Sequence, residues 1–412
     1  MHAASETACA GGAGDRAHAA ALDRVAARMR RLFQLPVRDA PRLFLVGGEV
    51  DASAIGQPAG TRPLASASGT GFDLAHATAA CISECVEFLS QLAPHDHGRV
   101  VGAVPEVAHG LDPEALRALL AMLGFEGDAG PRLSWLSGAS VVRDASVLLP
   151  EALCIRNLAD PAMPEPRVKL SSGCAAGRTT ESALLHALLE LVERDAVALW
   201  WIGGRRAHPL PCGPGIPPSL LAALGRDASH RTSWLLDITT DLGVPCVAAL
   251  SLGADGRGLV CGFAARLDYD EAMTAAVREM CQMEVGLDLI FRKRAEGGDA
   301  ALNAVDRKHL QRAFGFDARQ CPLLQPCQDG AASIRTGSLP SACPRAFWSS
   351  IEGCAGDAFW VDLTRADLGI PAVRALAPGL QPYPTDLVTP RLQREIAATG
   401  GGFGLTSGIA LM

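Results

Sequence analysis

The sequence predicts a mixed α/β protein, and three observations support this fold class. Segments with helical periodicity alternate with short apolar segments of strand type along the whole chain. The longest helical pattern ends at Trp201 and is apolar on most of its circumference, as expected of a helix buried in a globular protein. Two strand-like segments, Val244–Leu252 and Gly258–Leu267, flank the turn Gly-Ala-Asp-Gly-Arg, which favours a hairpin.

Composition excludes several classes of protein. A chain of 412 residues is long enough for one large domain or for two to three smaller ones. The net charge of −7, with no dense basic cluster, argues against a nucleic-acid surface. We expect no membrane span and no signal peptide, because the necessary apolar segments are missing. The 13 cysteines form no Cys-x-x-Cys pair, which is typical of reduced thiols in a cytoplasmic enzyme.

The first 40 residues differ in composition from the rest of the chain. Residues 1 to about 20 are rich in Ala and Gly and are predicted to be disordered. Ala21–Leu35 has the pattern of a basic amphipathic helix. We therefore divide the chain into an N-terminal segment, residues 1–40, that is partly disordered, and one folded domain, residues 41–412.

From residue 41 onward the predicted elements alternate, on the two sides of a central turn and helix. The first half contains a strand at Arg42–Val50, a loop up to Gly71, helices at Leu74–Leu92 and Pro113–Leu123, and strands at Leu133–Val142 and Val147–Ile155. The second half contains a strand at Thr232–Thr239, the hairpin, a helix at Glu271–Arg294, an irregular segment over residues 296–350, and strands at Phe359–Thr364 and Pro371–Ala377.

Three of the predicted helices carry paired polar side chains three residues apart, which places each pair on one helix face. The pairs are Glu84 with Glu87, Glu190 with Glu193, and Glu279 with Gln282. Two carboxylates so close on a partly buried face repel each other unless they share a cation or a proton. Mg²⁺ prefers such an oxygen shell and commonly joins carboxylates to nucleotide phosphates.

A glycine- and alanine-rich turn, Ser171–Gly177, precedes the central helix and has the form of a phosphate-binding loop. The turn Ser68–Gly71 has a similar form ahead of the first glutamate helix. Together with the carboxylate pairs, these turns indicate a nucleotide and Mg²⁺ held among three helices. Each signal is weak alone, because Glu-x-x-Glu occurs by chance on solvated helix faces and no Walker motif is present.

The segment SSGCAAGRTTESALLHALLELVERDA resembles the signature of the YcaO superfamily, in which a Ser/Gly turn precedes a helix ending in Glu-x-x-Glu-Arg-Asp-Ala. The segments ISECVE and AVREMCQ resemble the Glu-x-x-Glu and Glu-x-x-Gln helices of that family. DLGIPAVRALAPGL resembles its closing strand and Pro-Gly turn. The similarity extends from about residue 41 to about residue 390 in the expected order, so it covers the predicted folded domain.

The resemblance implies a YcaO-like catalytic domain over residues 41–412, with a central nucleotide site that uses ATP and Mg²⁺. In this chemistry a backbone amide oxygen of a ribosomally made precursor peptide attacks the γ-phosphate of ATP, and loss of phosphate drives cyclodehydration of Cys, Ser or Thr to an azoline. An external sulfide would instead give a thioamide. A further alternative is a catalytically weak scaffold that binds the peptide and a partner enzyme.

The resemblance also assigns residues. The ATP and Mg²⁺ site would comprise Glu84, Glu87, Glu181, Glu190, Glu193, Arg194, Glu279 and Gln282. The phosphate loop would comprise Ser171, Ser172 and Gly173, and the metal ligands would be Glu87, Glu190 and Glu193. The chain departs from the family pattern at four positions, where other residues are common: Thr70, Phe88, Ser172 and Arg178.

The partners implied are the precursor peptide and a leader-binding protein, which would resemble either ubiquitin-activating enzymes or TfuA. A homodimer is compatible with the sequence, and neither nucleic acid nor a membrane is expected as a partner. His186 lies four residues before Glu190 on the polar side of the central helix. It is either a proton-transfer group or a hydrogen-bonded structural histidine.

Overall fold

The fold consists of three antiparallel sheets and the helices packed on them. The computed structural model describes residues 3–55, 65–92, 99–104, 110–127, 132–143, 145–156, 165–210, 212–213, 215–226, 230–315, 317–327 and 342–411. Within these residues, no helix combines the length and the apolar character needed to cross a membrane.

The first sheet contains three strands in the order β1-β2-β3, and the second contains three strands in the order β10-β9-β8. Their bounds are β1 (Arg31–Leu35), β2 (Phe44–Val50), β3 (Ala65–Gly71), β8 (Arg231–Asp237), β9 (Cys246–Gly253) and β10 (Val260–Ala265). The third sheet has the order β4-β5-β11-β12-β7, and β6 also pairs with β5. Its strands are β4 (Val100–Gly102), β5 (Leu133–Ser140), β6 (Ser146–Pro150), β7 (Cys174–Ala176), β11 (Phe359–Asp362) and β12 (Ala372–Leu376).

The helices pack on the faces of these sheets and against one another. Their bounds are α1 (Ala3–Ala26), α2 (Leu74–Ser90), α3 (Pro113–Met122), α4 (Thr180–Trp201), α5 (Pro218–Leu224), α6 (Tyr269–Gly297), α7 (Ala304–Phe314), α8 (Pro344–Ala355) and α9 (Pro390–Thr399). A single helical turn at Glu151–Cys154 follows β6. The helix predictions for α2, α3, α4 and α6 and the hairpin β9–β10 are confirmed.

Helix α4 is the central helix, and it is buried on most of its circumference, as predicted. It contacts β7, β10 and β12 and also the two helices α8 and α9. Asp195 interrupts its apolar face and is fully buried, where it accepts hydrogen bonds from Arg391 Nε at 2.9 Å and from the Gln381 backbone N–H at 2.9 Å. Burial raises the pKa of Asp195 to about 6 despite this arginine. Asp195 and Arg391 therefore form a structural ion pair, which lies away from the side of α4 that carries Glu190 and Glu193.

The N-terminal prediction is wrong in its details. The basic helix expected over Ala21–Leu35 instead ends at Ala26, and helical backbone begins at Ala3, where we expected disorder. Arg31–Leu35 is strand β1, because its backbone pairs with β2. This pairing crosses the proposed boundary at residue 40, and the division into two segments stays a prediction.

Three further corrections concern the loops. The segment before Gly71 is strand β3 rather than a loop, because β2 pairs with it along its whole length and its small residues let α2 pack closely. The strand expected over Val147–Ile155 ends at Pro150. The segment 296–350 contains α7 and α8, whose start signals are the Asn303 capping box and Pro344 in the first turn.

The first two sheets and the helices that follow them are built alike. Each is a three-stranded antiparallel sheet whose last strand in sequence leads directly into a helix, α2 or α6. Each helix begins after an aspartate N-cap, Asp73 or Asp268. Asp73 and Asp268 are 195 residues apart, and Glu84 and Glu279 are separated by the same number. The chain therefore contains two equivalent units that each carry a glutamate helix.

Candidate functional site

One cavity of about 600 Å³ lies where α2, α4 and α6 meet, and we call it the carboxylate cavity. All three predicted pairs of polar side chains lie on its wall, although they come from distant parts of the sequence. The predicted site residues that line it are Glu84, Glu87, Ser171, Glu190, Glu193, Arg194, Glu279 and Gln282. The expectation that three helices converge on one pocket therefore agrees with the geometry.

Backbone N–H groups of the preceding strands orient the two equivalent glutamates. The Ser68 N–H donates to Glu84 Oε2 at 2.9 Å, and the Phe263 N–H donates to Glu279 Oε2 at 2.7 Å. Gln282 Nε2 then donates to Ser68 Oγ at 2.7 Å and so links α6 to β3. Each unit thus supplies one side of the cavity, and this hydrogen bond joins the two sides.

The remaining carboxylates are held in a similar way. The Ala176 N–H donates to Glu87 Oε1 at 3.0 Å, and the Gly173 N–H donates to Glu190 Oε2 at 3.1 Å. Glu190 Oε1 accepts Arg194 Nη2 at 2.9 Å, one helical turn along α4. Arg194 Nη1 also lies 3.6 Å from Glu193 Oε1. Arg194 therefore balances the charge of the α4 pair, as its position in the sequence suggested.

Most of these carboxyl groups are held in surroundings that favour the protonated form. Burial raises the pKa of Glu84 and of Glu193, and it raises that of Glu87 well above the ordinary range. Burial, with repulsion from Glu193, raises the pKa of Glu279 to about 7. Although burial acts against it, the Glu190 and Glu193 carboxylates raise the pKa of Arg194. A cation entering the cavity would relieve both the desolvation and the repulsion.

Three carboxylate oxygens in the cavity have no hydrogen-bond partner among the described residues, and such oxygens can bind a metal ion. Glu84, Glu87 and Glu279 each use one carboxylate oxygen for a backbone N–H, and the second has no hydrogen-bond partner among the described residues. Among the same residues, no group of three His, Cys, Asp or Glu side chains stands close enough to hold a metal alone. This donor set fits Mg²⁺, which usually takes one or two carboxylates together with phosphate oxygens.

Two arginines on the wall were missed by the sequence analysis. Arg266 and Arg278 line the cavity, and Arg278 donates through Nη2 to the Thr70 carbonyl, while its buried Nε has no partner among the described residues. Burial, and then repulsion from Arg266, lowers the pKa of Arg278. Nothing in the local pattern of α6 distinguishes Arg278 from its exposed neighbours. The interval of 195 residues between equivalent positions of the two units could have directed attention to the part of α6 that carries Arg278.

His186 and Arg156 also lie on the wall of the carboxylate cavity. Burial, and then Arg266, lowers the pKa of His186, so its ring is neutral near pH 7 and able to accept a proton. The Arg156 guanidinium lies 5.9 Å from the centre of the Phe88 ring. Phe88 stands where an arginine is common in the family that the sequence resembles. The Arg156 guanidinium, from another segment, lies beside it.

Glu181 and the predicted phosphate loop agree poorly with the places expected for them in the ATP and Mg²⁺ site. Glu181 is exposed in the first turn of α4 and does not line the cavity. The loop is separated from α4 by β7, and Thr179 and Ser182 already cap the helix N-terminus. The Ser172 N–H is bonded to the Lys169 carbonyl, and the Gly173 N–H to Glu190. The backbone N–H groups of Ser172, Gly173 and Ser182 are therefore already bonded, and the serine hydroxyls are left to meet a ligand.

The fold and this cavity define a class of protein, namely a mixed α/β chain that collects glutamates from three helices around one nucleotide-sized pocket. The chain belongs to the YcaO family, since residues 68–381 match the family profile described as YcaO cyclodehydratase, ATP- and Mg²⁺-binding. The resemblance stated from the sequence is thereby confirmed.

Two relatives are themselves uncharacterized. A protein of Methanothermobacter thermautotrophicus is 28% identical over 331 residues, which are 77% of this chain and 82% of that protein. A protein in the tfuA 3′ region of Rhizobium leguminosarum bv. trifolii is 32% identical over 127 residues, which are 29% of each chain.

Solved structures share the fold. A heterocyclase in complex with substrate and cofactor matches with a TM-score of 0.70 and 23% identity, over 90% of this chain and 52% of that chain. YcaO from Methanopyrus kandleri bound with AMPPCP and Mg²⁺ matches with a TM-score of 0.55 and 20% identity, over 86% of each chain. The chain thus spans about half the length of the heterocyclase. The predicted α/β class is confirmed by these matches.

Proposed function

We propose that this chain is an ATP- and Mg²⁺-dependent enzyme that phosphorylates a backbone amide oxygen of a ribosomally made precursor peptide and converts Cys, Ser or Thr to an azoline. One observation carries the proposal. Carboxylates from α2, α4 and α6 converge on one cavity, and those of Glu84, Glu87 and Glu279 each keep one oxygen with no hydrogen-bond partner among the described residues. Membership of the YcaO family and the profile's ATP- and Mg²⁺-binding description agree with it.

In this proposal the free oxygens of Glu84, Glu87 and Glu279 are available to Mg²⁺, and each ion would take one or two of them together with phosphate oxygens. Glu190 already accepts bonds from both Gly173 and Arg194, so it orients that arginine and reaches a metal only by exchanging a partner. When bound, Mg²⁺ neutralises the phosphates of ATP and aligns them for transfer. The carboxylates would therefore carry their charge fully only when the cation is present.

The cationic side chains on the same wall would position the phosphates. Arg278 lines the cavity and its buried Nε has no partner among the described residues, and Arg156 lies beside Phe88. Guanidinium groups bind phosphate oxygens in a fixed geometry. In the family a lysine is frequent at the position of Thr70. The proposal does not depend on that lysine, and the Thr70 carbonyl here accepts a hydrogen bond from Arg278.

The reaction balances with one ATP per ring. The amide oxygen attacks the γ-phosphorus and ADP leaves. The thiol or hydroxyl of the substrate side chain adds to the amide carbon, and the phosphorylated oxygen departs as inorganic phosphate while the C=N bond of the azoline forms. Two protons are lost, one from the attacking thiol or hydroxyl and one from the amide nitrogen. We propose that His186, neutral near pH 7 on the cavity wall, accepts one of them.

The same activated amide would give a thioamide if sulfide attacked instead, and this alternative stays open. The mass of the product peptide separates the two reactions, because a ring loses one water and a thioamide exchanges oxygen for sulfur. A leader-binding partner, either TfuA-like or similar to ubiquitin-activating enzymes, would present the peptide. The relative found in the tfuA 3′ region supports the first of these partners.

The experiment is incubation of the protein with ATP, Mg²⁺, candidate peptide and candidate partner, followed by measurement of phosphate release and peptide mass. We expect phosphate release coupled to a mass change. Calorimetry with ATP or ADP and Mg²⁺ tests the scaffold alternative separately. If neither nucleotide gives a binding heat, the chain is a scaffold and the proposed activity is wrong.

A further inference from the structure

A second cavity, of about 250 Å³, adjoins the carboxylate cavity and differs from it in charge, and we call it the basic cavity. Ser171, Arg194, Phe263 and Glu279 line both cavities and form the wall between them. The other polar side chains that line the basic cavity are Lys169, Ser172, His309 and Arg312. Nothing in the sequence pattern pointed to this site, because Lys169 precedes the central turn and Arg312 lies on α7.

The basic cavity contains two cations, Lys169 and Arg312, that have no matching anion among the described residues, and of these Arg312 is buried. Arg312 is 7% exposed, and its Nη1 donates to the Leu411 carbonyl at 2.7 Å. Its buried Nε has no hydrogen-bond partner among the described residues. Lys169 likewise has neither a hydrogen bond from its ammonium group nor an ion pair within the described part of the chain. A buried donor such as Arg312 Nε is costly unless a partner satisfies it.

The charges around the basic cavity show what the ligand must be. Burial, and then repulsion from Arg194, Lys308 and Arg312, lowers the pKa of Lys169. The one carboxylate on the wall among the described residues is Glu279, which faces both cavities and accepts the Phe263 N–H. Arg194 is already paired with Glu190. An anion in the basic cavity would therefore meet two cations, Lys169 and Arg312, that nothing else neutralises.

The volume of the basic cavity limits which anions can bind in it. A cavity of about 250 Å³ is smaller than the roughly 300–1,000 Å³ of typical sites for drug-sized ligands, so a whole nucleotide does not fit. An ammonium, a guanidinium and the hydroxyls of Ser171 and Ser172 are the donors that phosphate oxygens accept from. The wall shared with the carboxylate cavity places such a group beside the site proposed for ATP.

We infer that the basic cavity is a phosphate-binding site, separate from the carboxylate cavity, that takes the phosphate group split from ATP. The inference rests on the proposed function for the source of the phosphate, but the binding itself requires no turnover. The carboxylates repel a phosphate that has lost its Mg²⁺, and the basic cavity attracts it. Moving the product to the far side of Arg194 separates it from ADP and from the activated peptide.

Calorimetry with sodium phosphate at constant ionic strength tests this site. The titration is run on the full chain alone, with Mg²⁺ and ADP, and with Mg²⁺ and AMPPCP. We expect one phosphate per chain, and we expect Lys169→Gln to raise the dissociation constant at least about tenfold. Lys169→Gln removes no internal hydrogen bond, so it should fold. The control is Lys308→Gln, an exposed neighbour on α7 that does not line the cavity, which should change the constant less than about twofold.

The arms of the experiment distinguish the sources of the phosphate. Binding with both nucleotides supports a site for free product phosphate. Binding that AMPPCP abolishes and ADP permits supports a site for the terminal phosphate of the nucleotide, provided that Lys169→Gln weakens it equally.

Two outcomes would overturn the inference. One is the absence of saturable phosphate binding to the wild type, and another is an unchanged constant in Lys169→Gln. The inference and the proposed function fail separately. Nucleotide binding without phosphate binding removes only the inference. Phosphate binding without nucleotide binding removes the proposed function and ATP as the source of the phosphate, but leaves the phosphate site.

Discussion

Glu84 and Glu279 occupy equivalent positions in two units of the chain, and each accepts a backbone N–H from the strand that precedes its own helix. Their sequence numbers differ by 195, as do those of Glu87 and Gln282. Hydrogen bonding to rigid strands fixes one oxygen of each carboxylate and leaves the other for a ligand. The repeated unit therefore explains why the cavity has acidic groups on opposite sides.

Glu190→Gln tests the proposed chemistry on α4. The amide keeps the shape of the side chain but loses the charge that pairs with Arg194, so phosphate release should fall about a hundredfold. Phosphate release is measured with peptide and partner present.

The matched control is Glu181→Gln on the same helix, where the side chain is exposed outside the cavity. Its activity should stay within about twofold of the wild type. Equal release from Glu190→Gln and from the wild type would remove Glu190 from the mechanism, and a large loss in Glu181→Gln would restore it to the site.

Arg278→Gln tests the phosphate-positioning arginine that the sequence did not reveal. Because a guanidinium gives strong charge-assisted bonds to phosphate, we expect ATP affinity to fall about tenfold in calorimetry with Mg²⁺. Arg292→Gln is the control, since Arg292 is exposed on the same helix. Equal affinities for the two variants would contradict the assignment.

The stability of the ligand-free protein should depend on pH through Glu279. Its pKa is raised from 4.5 to about 7 by burial, so the folded chain binds this proton more tightly than the unfolded chain. Stability is therefore highest below about pH 4.5 as far as this group is concerned, falls as pH rises to about 7, and stays reduced above it.

Thermal unfolding measured from pH 5 to pH 8 checks this dependence, with other groups adding their own contributions. Glu279→Gln should show a smaller fall across this range, and Mg²⁺ with ADP should also reduce it by binding the ionised form. The same fall in the variant and in the wild type would mean that Glu279 does not titrate in this window.

Gly262→Ala tests how closely the second unit is packed. A Cβ at this position would stand 2.2 Å from the Met280 backbone nitrogen and 2.3 Å from the Ala276 carbonyl oxygen. We expect a loss of about 2–3 kcal/mol in the free energy of unfolding, because α6 would have to move away from β10. Chemical denaturation measures this loss.

Gly286→Ala is the control, since a Cβ added at this position inside α6 would have no heavy atom of another part of the chain within 4 Å. It should stabilise the protein by up to about 1 kcal/mol. A stability of Gly262→Ala close to that of the wild type would show that α6 is not held against β10 as described.

Local periodicity was sufficient to predict the helices that carry the site. The spacing of Glu84 and Glu87 places both side chains on one face of α2, and no distant contact alters that. Predicting that this face meets α4 and α6 rested on the chemistry of the paired carboxylates and on the family resemblance, because periodicity says nothing about which helices approach each other. The roles assigned to individual glutamates stay predictions.

Contacts between distant segments explain what the sequence did not reveal. Strand β1 exists because β2 pairs with it, although its residues have a helical pattern. Arg278 is held at the cavity by its hydrogen bond to the distant Thr70 carbonyl, and the local pattern of α6 does not reveal this contact. The basic cavity joins Lys169 to Arg312 across more than a hundred residues, and no motif marks either of them.

The last described residues are fastened to the interior of the protein. The Trp201 indole N–H donates to the Ile409 carbonyl at 2.6 Å, the Leu411 N–H donates to Tyr383 Oη at 2.7 Å, and Arg312 holds the Leu411 carbonyl. An affinity tag fused after residue 412 would therefore emerge beside the basic cavity. Purification handles belong at the amino end, and assays of carboxyl-tagged protein should be repeated after the tag has been cleaved.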